Sequence, residues 1–292
     1  MNIKITDVRA LPGDSAFLLD DGETSVLYDT GFGFTGYAVA DNIRKVLGDR
    51  PLDYIFLTHS HYDHALGSAY ISACYPNVKV IAGAYAEKIF AKPTARAVMR
   101  DLDQKFAARC GVLSYEDRID ELRVDIPVRE GDVIRAGAME FTVVELPGHT
   151  KCSIGFYLAS QKLLLSSETL GVYDGDKTVV PSYLVGYQMA LDSIAKVEKL
   201  DVEYILLPHY GLLSAEKTGF YLSNCRKSAV ETAVGIASIL KNGGTHDDAV
   251  AYVRNTFYRG NIPSIYPEDA MLLNTNIMVR LIARELAVDA AK

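Results

Sequence analysis

The chain contains no tryptophan and only four cysteines among its 292 residues. The cysteines, Cys74, Cys110, Cys152 and Cys225, lie far apart and form no CxxC pair. This spacing argues against a disulfide scaffold and against a zinc cluster held by thiolates. We therefore expect four thiols without disulfide bonds, and we interpret Cys152, three residues after His149, as a small buried thiol rather than a metal ligand.

Long apolar runs and basic clusters are also missing. No stretch approaches the ~18 apolar residues of a membrane span, and residues 1–10 lack the apolar segment of a secretory signal. The formal net charge is -7 without a dense Lys/Arg run, so a phosphate backbone would be repelled. With 49% hydrophobic and 23% charged residues, the composition is that of a globular domain. We expect a soluble cytoplasmic protein with neither a nucleic acid nor a membrane as partner.

The hydrophobic pattern alternates strands with helices. Residues 1–31 predict an antiparallel meander, because alternating segments are separated by turn residues. The apolar strand at 53–58 ends directly at the first histidine, where α/β architectures commonly place their chemistry. A long loop is expected at 171–186, and from about residue 214 the pattern is helical to the end. Other segments predict helices at 37–48, 65–76, 94–110 and 187–199, and strands at 16–20, 25–31, 79–83, 132–137, 139–148, 153–160, 162–168 and 203–209.

The strongest local signal is the segment Thr58-His59-Ser60-His61-Tyr62-Asp63-His64. Extended residues two apart face the same side, so His59 and His61 can hold one ion. Asp63 and His64 can then turn toward a neighbouring ion. Three histidines and an aspartate at this spacing predict a chelating site.

This HxHxDH segment resembles the signature of the metallo-β-lactamase superfamily, and the resemblance covers most of the first ~210 residues. It implies an α+β fold, a four-layer αβ/βα sandwich. The core would be residues 1–212 with a helical insertion at about 84–125, and residues 213–292 would form a C-terminal helical region covering the site. Asp29, in Tyr28-Asp29-Thr30-Gly31, resembles the family's early aspartate, which supports the metal ligands by orienting their imidazoles.

The resemblance supplies the remaining ligands from three later segments. His149 lies in a PGHT turn like that of the family, Glu168 stands where the family has a bridging Asp, and His209 ends a later strand. Glu168 departs from the family by one methylene, which leaves open a normal bridge, a site with one metal, or an altered metal preference. Asp174 and Asp176, a few residues further on, are the alternative carboxylates. The ligand set implied by the resemblance is His59, His61, Asp63, His64, His149, Glu168 and His209.

Imidazole and carboxylate ligands without thiolate suit two divalent transition-metal ions, with zinc the first expectation and iron or manganese the alternatives. Two ions sharing a hydroxide would hydrolyse a carbonyl or phosphoryl substrate, with Asp63 as the general base. A tyrosine hydroxyl near the metals could donate to a developing oxyanion, and we choose Tyr210. The other candidates for this role are Tyr62, Tyr183 and Tyr187.

The insertion and the C-terminal helices resemble those of glyoxalase-II-like thioesterases and of the quinolone-signal response thioesterase. Helices over a site favour a small-molecule substrate, so we expect hydrolysis of an ester, thioester or lactone. One alternative is a degenerate metal-binding sensor or interaction protein, whose helices could form the face of a homodimer. A second alternative is a phosphodiesterase. A β-lactamase proper, a nuclease and a flavodiiron reductase are disfavoured by the missing secretory signal, the acidic charge and the missing flavin domain.

Overall fold

A computed structural model of the protein describes residues 3–286, and the chain falls into two units. The first unit contains the described residues up to Glu145 together with Ile154–Ser166. The second contains Leu146–Ser153 and the described residues from Ser167 onward.

The first unit is built on a six-stranded sheet with helices between its later strands. Its strands are β1 (Lys4–Asp7), β2 (Phe17–Asp20), β3 (Ser25–Tyr28), β4 (Tyr54–Leu57), β5 (Lys79–Gly83) and β6 (Ile126–Val128), which pair in chain order. The strands β1 to β3 pair antiparallel, which confirms the predicted meander, and β3 to β6 pair parallel. Its helices are α1 (Gly36–Leu47), α2 (Tyr62–Ala65), α3 (Gly67–Cys74), α4 (Ala84–Phe90) and α5 (Pro93–Arg109).

Four further strands of the first unit form an antiparallel set in the order β10-β9-β8-β7. They are β7 (Val133–Ala136), β8 (Met139–Glu145), β9 (Ile154–Leu158) and β10 (Leu163–Leu165). Aromatic side chains join this set to the first sheet, because Phe56 of β4 stacks on Phe156 at 4.4 Å and meets Phe141 edge-on at 5.1 Å. Burying β4 among these rings fixes the point at which the strand ends and the histidine motif begins.

The second unit is mainly helical. Its helices are α6 (Tyr187–Val197), α7 (Ala215–Lys241), α8 (His246–Phe257), α9 (Ile262–Ile265) and α10 (Glu268–Glu285), and its strands form two short antiparallel pairs, β11 (Val172–Tyr173) with β12 (Val179–Val180) and β13 (Tyr204–Leu207) with β14 (Gly211–Leu213). Ser214 caps α7, and Thr245 and Asp248 form a capping box at the start of α8. The predicted apolar face of α7 is confirmed, since all its members are buried: Cys225, Ala229, Ala233, Ile236 and Leu240.

Within residues 3–286 the predicted helices and strands are present, with ends that differ by a few residues. The predicted helical pattern at 287–292 lies outside the described residues. Three strand pairings were not predicted. The segment 126–128 pairs as an edge strand, the 171–186 loop contains the β11–β12 pair, and the chain turns back after His209 to form β14. These strands have two or three residues each, too few to show a period of two. No helix within residues 3–286 is long and apolar enough to cross a membrane. The four cysteines, all in the described part, form no disulfide.

Candidate metal centre

The first four candidate ligands lie where β4 passes into α2 in the first unit. His61 is the N-cap of α2 with extended backbone (φ -73°, ψ 152°), and Asp63 and His64 lie in the single turn that follows. One ligand atom of His59 and one of His61 lie within 4.8 Å of each other, and the same holds for Asp63 and His64. The change from strand to helix therefore separates the motif into two neighbouring pairs of ligands.

Asp29 lies directly beneath this motif and is fully buried. Its Oδ2 accepts hydrogen bonds from His64 Nδ1 at 2.8 Å, Thr58 Oγ1 at 3.0 Å and Ser15 Oγ at 3.2 Å, while Oδ1 accepts from the Thr58 amide at 2.8 Å. The contact with a predicted metal ligand is thereby confirmed. The backbone of Asp29 is left-handed, with φ 52°, a conformation that costs energy for residues other than glycine. The four hydrogen bonds offset that cost.

These contacts determine which ring nitrogen of each imidazole carries the proton. Asp29 can only accept, so His64 Nδ1 is the protonated nitrogen and Nε2 keeps its lone pair. The single hydroxyl proton of Thr58 goes to Asp29, so Thr58 Oγ1 must accept from His59 Nδ1, 2.9 Å away. Both imidazoles therefore offer Nε2 as the ligand atom.

The second unit brings its three candidate ligands together around one carboxylate. Oε2 of Glu168 lies 2.8 Å from His149 Nε2, and Oε1 lies 3.3 Å from His209 Nε2. Each oxygen of the carboxylate thus faces a different imidazole, as a bridging carboxylate would require. His209 adopts left-handed backbone with φ 63°, which turns the chain between β13 and β14.

Main-chain oxygen sets the tautomer of His149. Its Nδ1 lies 3.1 Å from the Ser182 carbonyl and 2.8 Å from the Ser182 hydroxyl. A carbonyl can only accept, so Nδ1 carries the proton and Nε2 is the ligand atom. Burial alone would raise the pKa of Glu168, but the imidazoles of His149 and His209, when protonated, hold it well below its usual range. The carboxylate is therefore ionised at neutral pH.

The other candidate carboxylates have structural contacts. Oδ1 of Asp174 accepts from the backbone amides of Asp176, Lys177 and Thr178 at 2.8 to 2.9 Å, which closes a turn of the 171–186 loop. The main-chain oxygen of Asp176 accepts from Tyr173 Oη. Of the three carboxylates, Glu168 is the one found beside the histidines of this unit.

The candidate tyrosines have different surroundings. Tyr210 is half-buried and its Oη lies 3.0 Å from Lys217 Nζ. Tyr183 is buried and meets the ring of Tyr187 edge-on at 5.2 Å, and burial raises the pKa of its hydroxyl. Tyr62 is half-buried and packs on Phe32.

Two side chains away from the ligand set have contacts of their own. The Sγ of buried Cys152 lies 3.2 Å from Thr150 Oγ1. His246, the one histidine outside the predicted ligand set, has its Nε2 2.8 Å from Asn276 Oδ1. Neither belongs to the groups of clustered metal-type ligands found within residues 3–286.

Sequence reasoning missed the residues that hold the imidazoles. Thr58 precedes the first histidine and was not assigned a role, and Ser182 lies far from His149 in the sequence. Thr58 has a local signal, because it ends a buried strand beside a ligand. Ser182 has none, since only the path of the loop brings its carbonyl to His149.

Comparison with known proteins agrees with this fold. The family model described as the metallo-beta-lactamase superfamily matches residues 12–209. The chain therefore belongs to the metallo-β-lactamase superfamily, and the predicted α+β fold class is confirmed. A solved metallo-beta-lactamase family protein from Thermus thermophilus superposes with a TM-score of 0.63 at 16% identity, covering 98% of this chain and 94% of that one.

Curated relatives are similar over part of their length. The hydroxyacylglutathione hydrolase of Cereibacter sphaeroides is 29% identical over 175 residues, which is 58% of this chain and 53% of that protein. Acyl-coenzyme A thioesterase MBLAC2 of Gallus gallus is 28% identical over 207 residues, or 66% of this chain and 71% of that protein. The chain thus spans about half the length of the hydroxyacylglutathione hydrolase that it matches.

Proposed function

We propose that this protein is a metal-dependent hydrolase of small carboxylic thioesters, with esters and lactones as related substrates. The observation that carries the proposal is that imidazole and carboxylate side chains cluster within each unit. Hydrogen bonds at Nδ1 leave Nε2 as the ligand atom of His59, His64 and His149. The names of the two curated relatives, both thioester hydrolases, favour a thioester over a phosphodiester.

The donor set fits divalent transition metals. Imidazole and carboxylate without thiolate suit zinc, iron and manganese, and zinc remains our first choice. The ligands that we propose for these ions are His59, His61, Asp63 and His64 of the first unit and His149, Glu168 and His209 of the second. When bound, such ions lower the pKa of a water and polarise a carbonyl oxygen.

The protein's own groups would handle the proton and the developing charge. Asp63 is half-buried beside His64, with Oδ2 3.7 Å from Nε2, so its carboxylate can accept the proton that the attacking water gives up. Lys217 is a donor only, so Tyr210 Oη accepts from its ammonium and keeps its own proton to donate. Tyr210 is therefore our choice as the donor to the oxyanion of the tetrahedral intermediate.

The testing experiment measures metal content and hydrolysis on the same preparation. Elemental analysis should find one to two equivalents of transition metal per chain, and a chelator should abolish hydrolysis of at least one member of a panel of thioesters, esters, lactones and phosphodiesters. Re-addition of zinc, iron or manganese separately would identify the metal. Protein that binds no metal after reconstitution would refute the proposal, and loaded protein that cleaves nothing in the panel would favour the sensor alternative.

A further inference from the structure

A group of aromatic rings, here the ring cluster, lies beside the histidine motif of the first unit. Phe32 is its centre, with ring centroids 4.6 Å from Phe106, 5.4 Å from Phe34 and 5.7 Å from Tyr62. Tyr115 extends the cluster, 6.1 Å from Phe34. Tyr62 stands between His61 and Asp63 in the sequence, so the cluster adjoins the candidate ligands.

The ring cluster differs from core packing in its exposure. Only Phe32 is buried, at 3% exposed, whereas Phe34, Tyr62, Phe106 and Tyr115 are each half-buried. Aromatic rings bury large areas and usually dominate a core, so several half-open rings next to polar ligands leave apolar surface facing solvent. Covering such a surface with hydrocarbon is favourable, because it removes apolar area from water.

Two buried carboxylates hold the backbone that carries these rings. Asp103 of α5 accepts from the amides of Gly33 at 2.9 Å and Phe34 at 3.3 Å, and Asp14 accepts from the amide of Phe32 at 3.2 Å. Tyr115 Oη also donates to Asp103, at 2.5 Å. The 32–34 turn is therefore tied on two sides, which orders its rings before any ligand arrives.

The contact between α5 and the 32–34 turn leaves no room for a side chain at Gly33. A Cβ at Gly33 would lie 2.7 Å from Oδ2 of Asp103. Desolvation raises the pKa of Asp14 and of Asp103 to about 6 in each case, and both remain ionised acceptors at neutral pH. The ring cluster is thus a rigid apolar surface rather than a mobile flap.

We infer that the ring cluster is the acyl-binding subsite of the proposed hydrolase and that its substrate carries an apolar acyl group. The inference rests on the proposed function, because it assigns the acyl part of the substrate to the rings that adjoin the histidine motif. A short or hydroxylated acyl group would cover little of the rings, whereas a hydrocarbon chain of about four to six carbons would gain from each methylene.

The test uses thioesters of one thiol, N-acetylcysteamine, with acetyl, 2-hydroxypropanoyl and hexanoyl groups. The metal-loaded wild type should cleave the hexanoyl thioester with kcat/KM at least about tenfold above the other two. Phe106→Ala should lower kcat/KM about tenfold for hexanoyl and about twofold for acetyl. Tyr85→Ala, an exposed aromatic of α4, is the matched control and should leave both rates unchanged.

Phe34→Ala serves as a second variant should Phe106→Ala fail to fold by circular dichroism. Equal losses for all acyl groups, or a wild type indifferent to acyl length, would overturn the inference.

A binding measurement separates this inference from the proposed reaction. Calorimetry with hexanoate and acetate should show hexanoate binding more tightly to the wild type, with about tenfold weaker binding to Phe106→Ala. That result supports the subsite even if no thioester is cleaved. Equal affinity for hexanoate and acetate overturns the subsite even if thioesters are cleaved.

Discussion

The two units contribute candidate ligands in different ways. In the first unit four ligands lie within six consecutive residues, and a strand-to-helix turn orients them. In the second unit the ligands come from three segments spread over positions 149–209, and each oxygen of the Glu168 carboxylate lies close to a different imidazole. The first set is therefore readable as a motif, whereas the second depends on how distant segments fold.

The units also differ in what holds their imidazoles. In the first unit a side chain, Asp29, accepts from His64 and through Thr58 orients His59. In the second unit a main-chain carbonyl at Ser182 accepts from His149. A substitution can remove the first acceptor but not the second, so equivalent changes in the two units should have unequal effects.

The largest loss of activity should follow substitutions in the HxHxDH segment of the first unit. His61→Ala should lower kcat/KM for the best thioester by about 1000-fold or more, because it removes a proposed ligand of one ion. Asp63→Ala should cost at least as much, since it removes a ligand and the proposed proton acceptor together. Steady-state assays on metal-loaded protein measure both.

His246→Ala is the matched control for the local motif. This histidine contacts Asn276 and lies outside the ligand set, so its loss should change the rate by no more than about twofold. A His61→Ala rate within about threefold of wild type would exclude the proposed site.

The second-largest effect is expected at Glu168, whose carboxylate lies beside both candidate histidine ligands of the second unit. Glu168→Ala should lower metal content, more for one ion than for the other, and reduce turnover by about 100-fold, because the proposed shared carboxylate is gone. Elemental analysis after dialysis measures the stoichiometry. Glu216→Ala, in the exposed first turn of α7, is the control.

Glu168→Asp tests whether the site has adapted to the longer side chain. The carboxylate of an aspartate would lie about one bond length further from the ions, whereas a ligand atom tolerates a displacement of only ~0.5 Å. A site shaped around glutamate should therefore lose occupancy of one ion. Two retained ions with a modest change in rate would mean that glutamate merely replaces aspartate. Unchanged stoichiometry and turnover in Glu168→Ala would remove Glu168 from the ligand set.

A smaller effect is expected at Asp29. Asn is the sharpest replacement, because it tolerates the left-handed backbone found there and nearly preserves the shape of the side chain. Asp29→Asn should weaken metal binding by about 10- to 100-fold, since the charge that orients His64 is lost. Competition with a chelating dye gives the affinity, and a melting curve of metal-free protein shows whether folding has changed. Affinity within about twofold of wild type would contradict the proposed role.

The smallest effect should be found at Ser182. Ser182→Ala removes a hydroxyl but keeps the main-chain carbonyl that fixes the tautomer of His149, so metal affinity should fall by only about threefold. The same dye competition applies. A loss as large as that of Asp29→Asn would mean that the hydroxyl holds His149, and the contrast between the units would fail.

Much of the fold could be predicted because its elements are long and periodic. The strand at β4, the apolar face of α7 and the antiparallel start all show clear patterns in the sequence. The short pairs at β6 and β11–β12 escaped prediction, since two or three residues carry no period and pair only through their neighbours. The predicted domain boundary at residue 212, the homodimer and the small-molecule partner stay predictions.

The sequence by itself determined the first four candidate ligands, because histidine and carboxylate at HxHxDH spacing follow from residue type and the backbone periods of strand and helix. Resemblance to the family supplied His149, Glu168 and His209. Only the tertiary structure decided how the ligands are held. The left-handed backbone of Asp29 and His209, the carbonyl of Ser182 beside His149 and the ring cluster around Phe32 are not encoded by any local pattern. They arise because chain segments far apart in sequence bury their polar groups against one another, and each buried group must find a partner in the fold.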